Sequence, residues 1–259
     1  MKKFFKSVKE EFKKKKGKAV TVYLILRFLV ILCMIRQIML GNISNVLLCI
    51  LTLVLFLIPS ILDRKFKIVL PDTLEIIIYI FIFSAEILGE INEFYIHIKN
   101  FDTILHTLNG FIMAGIGFSL IEIFNNNPNT KLSLDPKYLV LFGFCFSMTT
   151  GVVWEIFEYS MDRIFKLDMQ KDTIITEINS VVLNEDNKNQ AKSIKVEELT
   201  VNGEDYIQKY GGYIDIGLYD TMEDLIVNLI GAIVFSVMGY AYLTGKGKNA
   251  SKFMIKRSD

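Results

Sequence analysis

Cysteine is scarce in this sequence, histidine is scarcer, and net charge is nearly absent. The 3 cysteines, Cys33, Cys49 and Cys145, all fall inside long apolar runs, which excludes a disulfide framework and a thiolate metal motif. Of the 2 histidines, His97 lies in a polar loop and only His106 falls within an apolar run. A formal net charge of +1 says little about partners, and nucleic acid is not expected among them. No internal repeat is detectable.

What the sequence has in quantity is hydrocarbon. Hydrophobic residues make up 52% of the 259, with a mean hydropathy of +0.39, high for a domain that folds in water. A helix needs about 20 apolar residues to cross a hydrocarbon core of about 30 Å. Six stretches meet that requirement, at 19–40, 44–62, 72–92, 103–124, 138–159 and 223–243. The expected fold is an all-α integral membrane protein, a six-helix transmembrane bundle in contact with membrane lipids. The leading "MKKFFKSVKEEFKKKKGK" carries 9 lysines, and the apolar run after it lacks a small-residue cleavage site, so a retained anchor helix is expected.

Lysine and arginine favour the cytoplasmic side of short loops. The N-terminal tail, "DRKFK" at 63–67, the loop holding Lys131 and Lys137, and the tail with Lys246, Lys248, Lys252, Lys256 and Arg257 fall on one side. The turn at 41–43 and "EFYIHIKNF" fall on the other and contain only Lys99. A plasma-membrane protein with both termini cytoplasmic is expected. Its parts are a basic tail (1–18), transmembrane helices 1–5 (19–159), a β-rich extracytoplasmic insert (160–222), helix 6 (223–243) and a second basic tail (244–259). In the insert, "TIITEINSVVL" and "SIKVEELTVNGEDYIQKY" have strand composition, and Asn202-Gly203 sits where a hairpin turn belongs.

A rise of 1.5 Å per residue then gives each polar group in the apolar runs a depth. Glu86 and Glu90 fall at the outer end of span three and Asp102, His106 and Asn109 at the outer start of span four. Glu155, Glu158 and Asp162 fall at the outer end of span five, and Asp220, Asp224 and Asn228 at the outer start of span six. Each set is spaced to share one helix face. A charge facing lipid costs at least about 2.5 kcal/mol, so the four stripes are expected to line a polar cavity open to the outer surface. Gly110, Ala114, Gly117, Gly143, Ser147, Gly151, Gly231 and Gly239 allow close helix approach.

Three segments carry a family resemblance: "FDTILHTLNGF", "WEIFEY" and "GLYDTMEDLIVNLIGA". Together they resemble the YjdF-like family of uncharacterised bacterial multi-pass inner-membrane proteins. The matching positions are Asp102, His106, Gly110 and Phe111, then Trp154, Glu155 and Glu158, then Asp220, Thr221 and Asp224. A weaker likeness runs to VanZ-like envelope proteins through Asp224, Asn228 and Gly231, with Thr103 standing where that family usually has lysine. The resemblance implies a multi-pass membrane protein and no particular reaction.

Crowded carboxylates need compensation by shared protons, by Arg36 or by a cation. Glu155, Glu158, His106 and Asp224 are the candidate catalytic residues. His106, Glu155, Glu158, Asp220 and Asp224 are the candidate ligands for a divalent metal, Zn²⁺, Mn²⁺, Fe²⁺ or Mg²⁺. Asp102, Asn109, Glu86, Glu90, Asn228 and Arg36 are supporting residues. The leading expectation is an outward-facing enzyme acting on an envelope lipid or lipid-linked molecule. The alternatives are a proton or divalent-cation permease, with Arg27, Glu75 and Glu122 as inner groups, and a non-catalytic envelope factor. Asp220 followed by Glu223 also has the spacing of a capping box, Asp102 of a helix cap, and Asp162 that of a snorkelling acid.

Overall fold

Long runs of leucine, isoleucine, valine and phenylalanine must satisfy their backbone polar groups internally in hydrocarbon, and a helix does so within one segment. The computed structural model describes residues 17–66, 68–126, 133–186, 189–245, 252–253 and 255–257. The expected basic tail before residue 17, Lys131, Lys246 and Lys248 lie outside the described residues. The runs form α1 (Lys18–Met39), α2 (Ile43–Leu55), α3 (Ile58–Phe66), α4 (Asp72–Phe83), the short α5 (Phe94–His97), α6 (Phe101–Asn125) and α7 (Pro136–Phe165). They are followed by α8 (Tyr206–Tyr210) and α9 (Leu218–Leu243).

Among the described residues, five helical stretches are long and apolar enough to cross a membrane: Lys18–Met39, Ile43–Leu62, Phe101–Asn125, Pro136–Phe165 and Leu218–Leu243. The chain is therefore an all-α multi-pass membrane protein with a small antiparallel β-rich insert. The stretch expected as span three behaves differently. α4 gives way at Ser84 to a π-helix, Ser84–Ile91, and Asp72, Glu75, Glu86 and Glu90 fall along the two pieces. The Ile87 carbonyl accepts both the backbone N–H of Asn92 at 3.1 Å and its side-chain amide at 2.6 Å, an i to i+5 closure that stabilises the wider winding. α7 continues to Phe165 and α9 starts at Leu218, so helix extends into both ends of the segment read as insert.

The chain divides into two units, residues 1–151 with 226–259, and residues 152–225. In the first, Tyr23 of α1, Phe56 after α2 and Tyr79 of α4 meet with ring centroids 5.3–6.1 Å apart. Val30, Cys49, Ile82, Ile87 and Ile91 complete this core. The opposite faces stay apolar and uncovered, with Leu24 at 56% and Phe28 at 59% exposure, the arrangement lipid contact requires and water penalises. Arg27 hydrogen-bonds the Tyr23 hydroxyl, and the buried Glu75 accepts the Tyr79 hydroxyl at 2.9 Å.

A second core joins Ala114 and Phe118 of α6, Leu139 of α7, and Ala232 and Phe235 of α9. Hydrophobic burial adds little between helices already in lipid, so close packing must hold them together. At Gly143 an added Cβ would stand 2.7 Å from the Ala114 carbonyl oxygen, and at Gly110 it would overlap the Asn228 carbonyl oxygen. Ser147 Oγ donates to the Gly110 carbonyl at 2.8 Å, which fixes the contact.

Among the described residues the second unit holds three small antiparallel pairs: β2 (Ile174–Ile175) with β7 (Tyr213–Ile214), β3 (Glu177–Ser180) with β4 (Lys192–Lys195), and β5 (Thr200–Val201) with β6 (Glu204–Asp205). A further pair, β1 (Ile68–Val69) with β8 (Lys256–Arg257), lies in the first unit. The β5–β6 turn is Asn202-Gly203, at φ 53° and 89°, the doubly positive pair that a two-residue hairpin needs. Across β3 and β4, Glu177 faces Lys195 and Ile178 faces Ile194, an opposite-charge pair beside an apolar one.

Candidate metal centre

Glu155 and Glu158 are one turn apart on α7, and Asp224 stands in the second turn of α9; all three belong to the second unit. Each offers one carboxylate oxygen to a set whose members all lie within 4.8 Å of one another. Trp154, exposed beside them, donates its indole N–H to Glu158 Oε1 at 2.9 Å. Exposure is 5% for Glu155, 8% for Glu158 and 3% for Asp224.

That burial corrects the expectation of an outward-facing site, and the reading as an outward-facing envelope enzyme goes with it. The physical reason is that depth along a helix follows from the residue count, whereas access of water depends on what packs over the side chains. A polar stripe near a helix end is equally compatible with an open cavity and with a closed one.

Two unit charges at the 4.8 Å outer limit of this set repel by about 3.5 kcal/mol at an effective dielectric near 20. Three ionised carboxylates therefore need a compensating charge. A six-coordinate Mg²⁺ holds oxygens at about 2.1 Å and so separates opposite ligands by about 4.2 Å, while Ca²⁺ accepts about 2.3–2.6 Å. The spread of the three oxygens matches that scale, and an all-carboxylate donor set suits hard cations rather than thiolate-seeking ones.

The chain leaving α7 is tied back by other aspartates. Asp162, in the last turn of α7, accepts the Met169 N–H on Oδ1 at 2.7 Å and the Gln170 N–H on Oδ2 at 2.9 Å. Asp220, in the first turn of α9, accepts the Lys171 N–H at 2.7 Å. Asp215 Oδ1 accepts from Thr173 N at 2.7 Å and from Gly217 N at 3.2 Å, and its Oδ2 accepts from Tyr219 N at 3.4 Å. The Gln170 amide donates to the Thr221 hydroxyl. Asp162 thus holds backbone instead of reaching into water, and Asp220 lies inside α9 instead of capping it. Asp102 likewise lies inside α6, which Asn100 precedes at φ 62°.

Asp215 was not singled out by sequence reasoning. Its signal was present as an aspartate two residues before Gly217, at the entry to a helix. Partial burial, followed by the carboxylates of Asp168, Asp215 and Asp162, raises the pKa of Asp172 above the ordinary carboxylate value, with Lys171 opposing.

The remaining expected residues lie in the first unit. His106 Nε2 is 3.5 Å from Asp102 Oδ1, one turn away on α6. Asn109 Nδ2 donates to Asn228 Oδ1 at 3.2 Å, and the buried Asn228 donates weakly to the Ser147 carbonyl at 3.5 Å. Glu86 is half-buried in the π-helix, whereas Glu90 and Arg36 are exposed. An open groove of about 690 Å³ in the second unit, lined by Ile178, Ile194, Val196, Leu199, Tyr206 and Ile214 among others, shares no residue with the carboxylate set.

The family described as "Predicted membrane protein (DUF2238)" matches residues 20–245, and the chain belongs to that family. No curated protein and no solved structure matches it.

Proposed function

We propose that this DUF2238 membrane protein binds a divalent cation inside its helical framework, with Glu155, Glu158 and Asp224 as the protein ligands. The observation that carries this reading is the convergence of three buried carboxylates within 4.8 Å. The low dielectric makes their repulsion expensive, and one divalent ion offsets most of it while taking oxygen ligands. Mn²⁺ and Mg²⁺ fit the donor set better than Zn²⁺ or Fe²⁺, whose sites favour nitrogen or sulfur. Trp154, donating to Glu158 Oε1, holds the Glu158 carboxylate in place beside the other two. Asp220 serves in this reading through its hydrogen bond to Lys171 N rather than as a ligand.

The chain crosses the plasma membrane six times in this proposal, with α4 and the π-helix as the third crossing and both termini cytoplasmic. The one-sided distribution of lysine and arginine supports that orientation. The three motifs around Asp102, Glu155 and Asp220 support a place among YjdF-like proteins. Metal analysis of the detergent-purified protein beside Glu155→Gln tests the central claim. Near-stoichiometric Mn²⁺ or Mg²⁺ in the wild type, lost in the variant, is expected. Equal metal content in the two proteins refutes it.

A further inference from the structure

The three carboxylates come from two helices separated by more than fifty residues of sequence, so something must set the distance between Glu155 and Glu158 on one side and Asp224 on the other. The second unit contains a short connection that does so. Asp162 lies one turn beyond Glu158 on α7, and Asp220 lies one turn before Asp224 on α9. Both grip the same three-residue strap. Asp162 takes the N–H groups of Met169 and Gln170 at 2.7 and 2.9 Å, and Asp220 takes the N–H of Lys171 at 2.7 Å. The path from Glu158 to Asp224 thus runs through one helical turn, a carboxylate, a strap of consecutive residues, a second carboxylate and another helical turn. Helical turns are stiff, and hydrogen bonds from N–H to a carboxylate are short and strong.

We infer that Asp162 and Asp220 are positioning residues for the cation, forming a clamp whose strap, Met169–Lys171, fixes the separation of the ligand-bearing helix ends and hence the size of ion accepted. This rests on the cation site proposed above. Asp162 uses both oxygens, each on a separate N–H. Asparagine there presents one acceptor and one amide donor, so one of the two bonds becomes a donor facing a donor. A loosened clamp harms a small ion more than a large one, because Mg²⁺ and the similarly compact Mn²⁺ need short contacts from all three oxygens while Ca²⁺ tolerates longer and irregular ones.

The test measures Mn²⁺ and Ca²⁺ affinity of the full-length protein in detergent for the wild type, Asp162→Asn, Asp162→Glu and Asp220→Ala. Gly110→Ala, a packing change away from the ligands, serves as the structural control. Mn²⁺ affinity is expected to fall by about 10- to 100-fold in Asp162→Asn and Asp220→Ala, the range that supporting groups of metal ligands command. Ca²⁺ affinity falls less, so the preference for Mn²⁺ narrows. Asp162→Glu, which keeps two acceptor oxygens, restores most of the affinity. Asp220→Ala removes the acceptor of the Lys171 N–H at the other end of the strap, and reads the same quantity should Asp162→Asn not fold. Unchanged affinities in both clamp variants overturn the inference, as does an equal loss for both ions with the preference held, as the control gives. Failure of the wild-type protein to bind either ion overturns the cation site itself, and the clamp with it.

Discussion

Replacing Glu155 by glutamine is expected to act with opposite signs in the presence and absence of metal. The three carboxylate oxygens lie within 4.8 Å of one another, which makes three repulsive pairs of about 3.5 kcal/mol each at an effective dielectric near 20. Neutralising Glu155 removes two of the three. With chelator present, Glu155→Gln should therefore be at least as stable as the wild type, and more so if the apo site is held partly ionised. With Mn²⁺ at about a hundred times its dissociation constant, binding adds about 2.7 kcal/mol to the wild type. The variant, having lost a ligand, gains little, so the order of stability reverses. The assay is denaturant unfolding in detergent with and without Mn²⁺, followed by the fluorescence of Trp154, the single tryptophan, whose indole N–H is bonded to Glu158. Equal stabilisation of both proteins by Mn²⁺, or a variant less stable than the wild type by the same margin in chelator and in metal, refutes the reasoning.

Other perturbations test the surrounding structure. Asn228→Ala removes the acceptor of Asn109 and a buried donor to the Ser147 carbonyl, and should cost about 1–3 kcal/mol in unfolding free energy. Gly110→Ala drives a methyl into the Asn228 carbonyl and should destabilise by about 1–3 kcal/mol or more, measured in the same way. Gly217 has φ +82° and a Cβ there would overlap Gln170, so Gly217→Ala should lower stability by at least about 1 kcal/mol and loosen the strap to proteolysis. Asp172 has a raised folded-state pKa. The folded protein therefore holds this proton more tightly than the unfolded chain. That contribution is complete below the ordinary value of 3.8 and is lost as pH rises through the folded value. Asp172→Asn should then stabilise the protein at pH 7 while leaving it unchanged at low pH. The gain should stay within about 0.5 kcal/mol, because the side chain is exposed and screened by solvent.

The sequence by itself determined what depends on neighbours along the chain. Apolar runs of sufficient length made α1, α6, α7 and α9 legible as membrane helices, and Asn202-Gly203 marked its hairpin because only residues tolerant of positive φ fit there. The i, i+3 spacing put Glu155 and Glu158 on one face of α7. The π-winding after Ser84 was not legible, since it depends on how Asn92 returns to the Ile87 carbonyl. Nor were the roles of Asp162 and Asp220, whose partners are backbone N–H groups as many as 49 residues distant and carry no side-chain signature. Tertiary structure alone decided that Glu155, Glu158 and Asp224 are shut away from solvent. Hydropathy and periodicity record the direction in which a side chain leaves its helix, but its solvation is set by the atoms that pack against it from elsewhere in the chain.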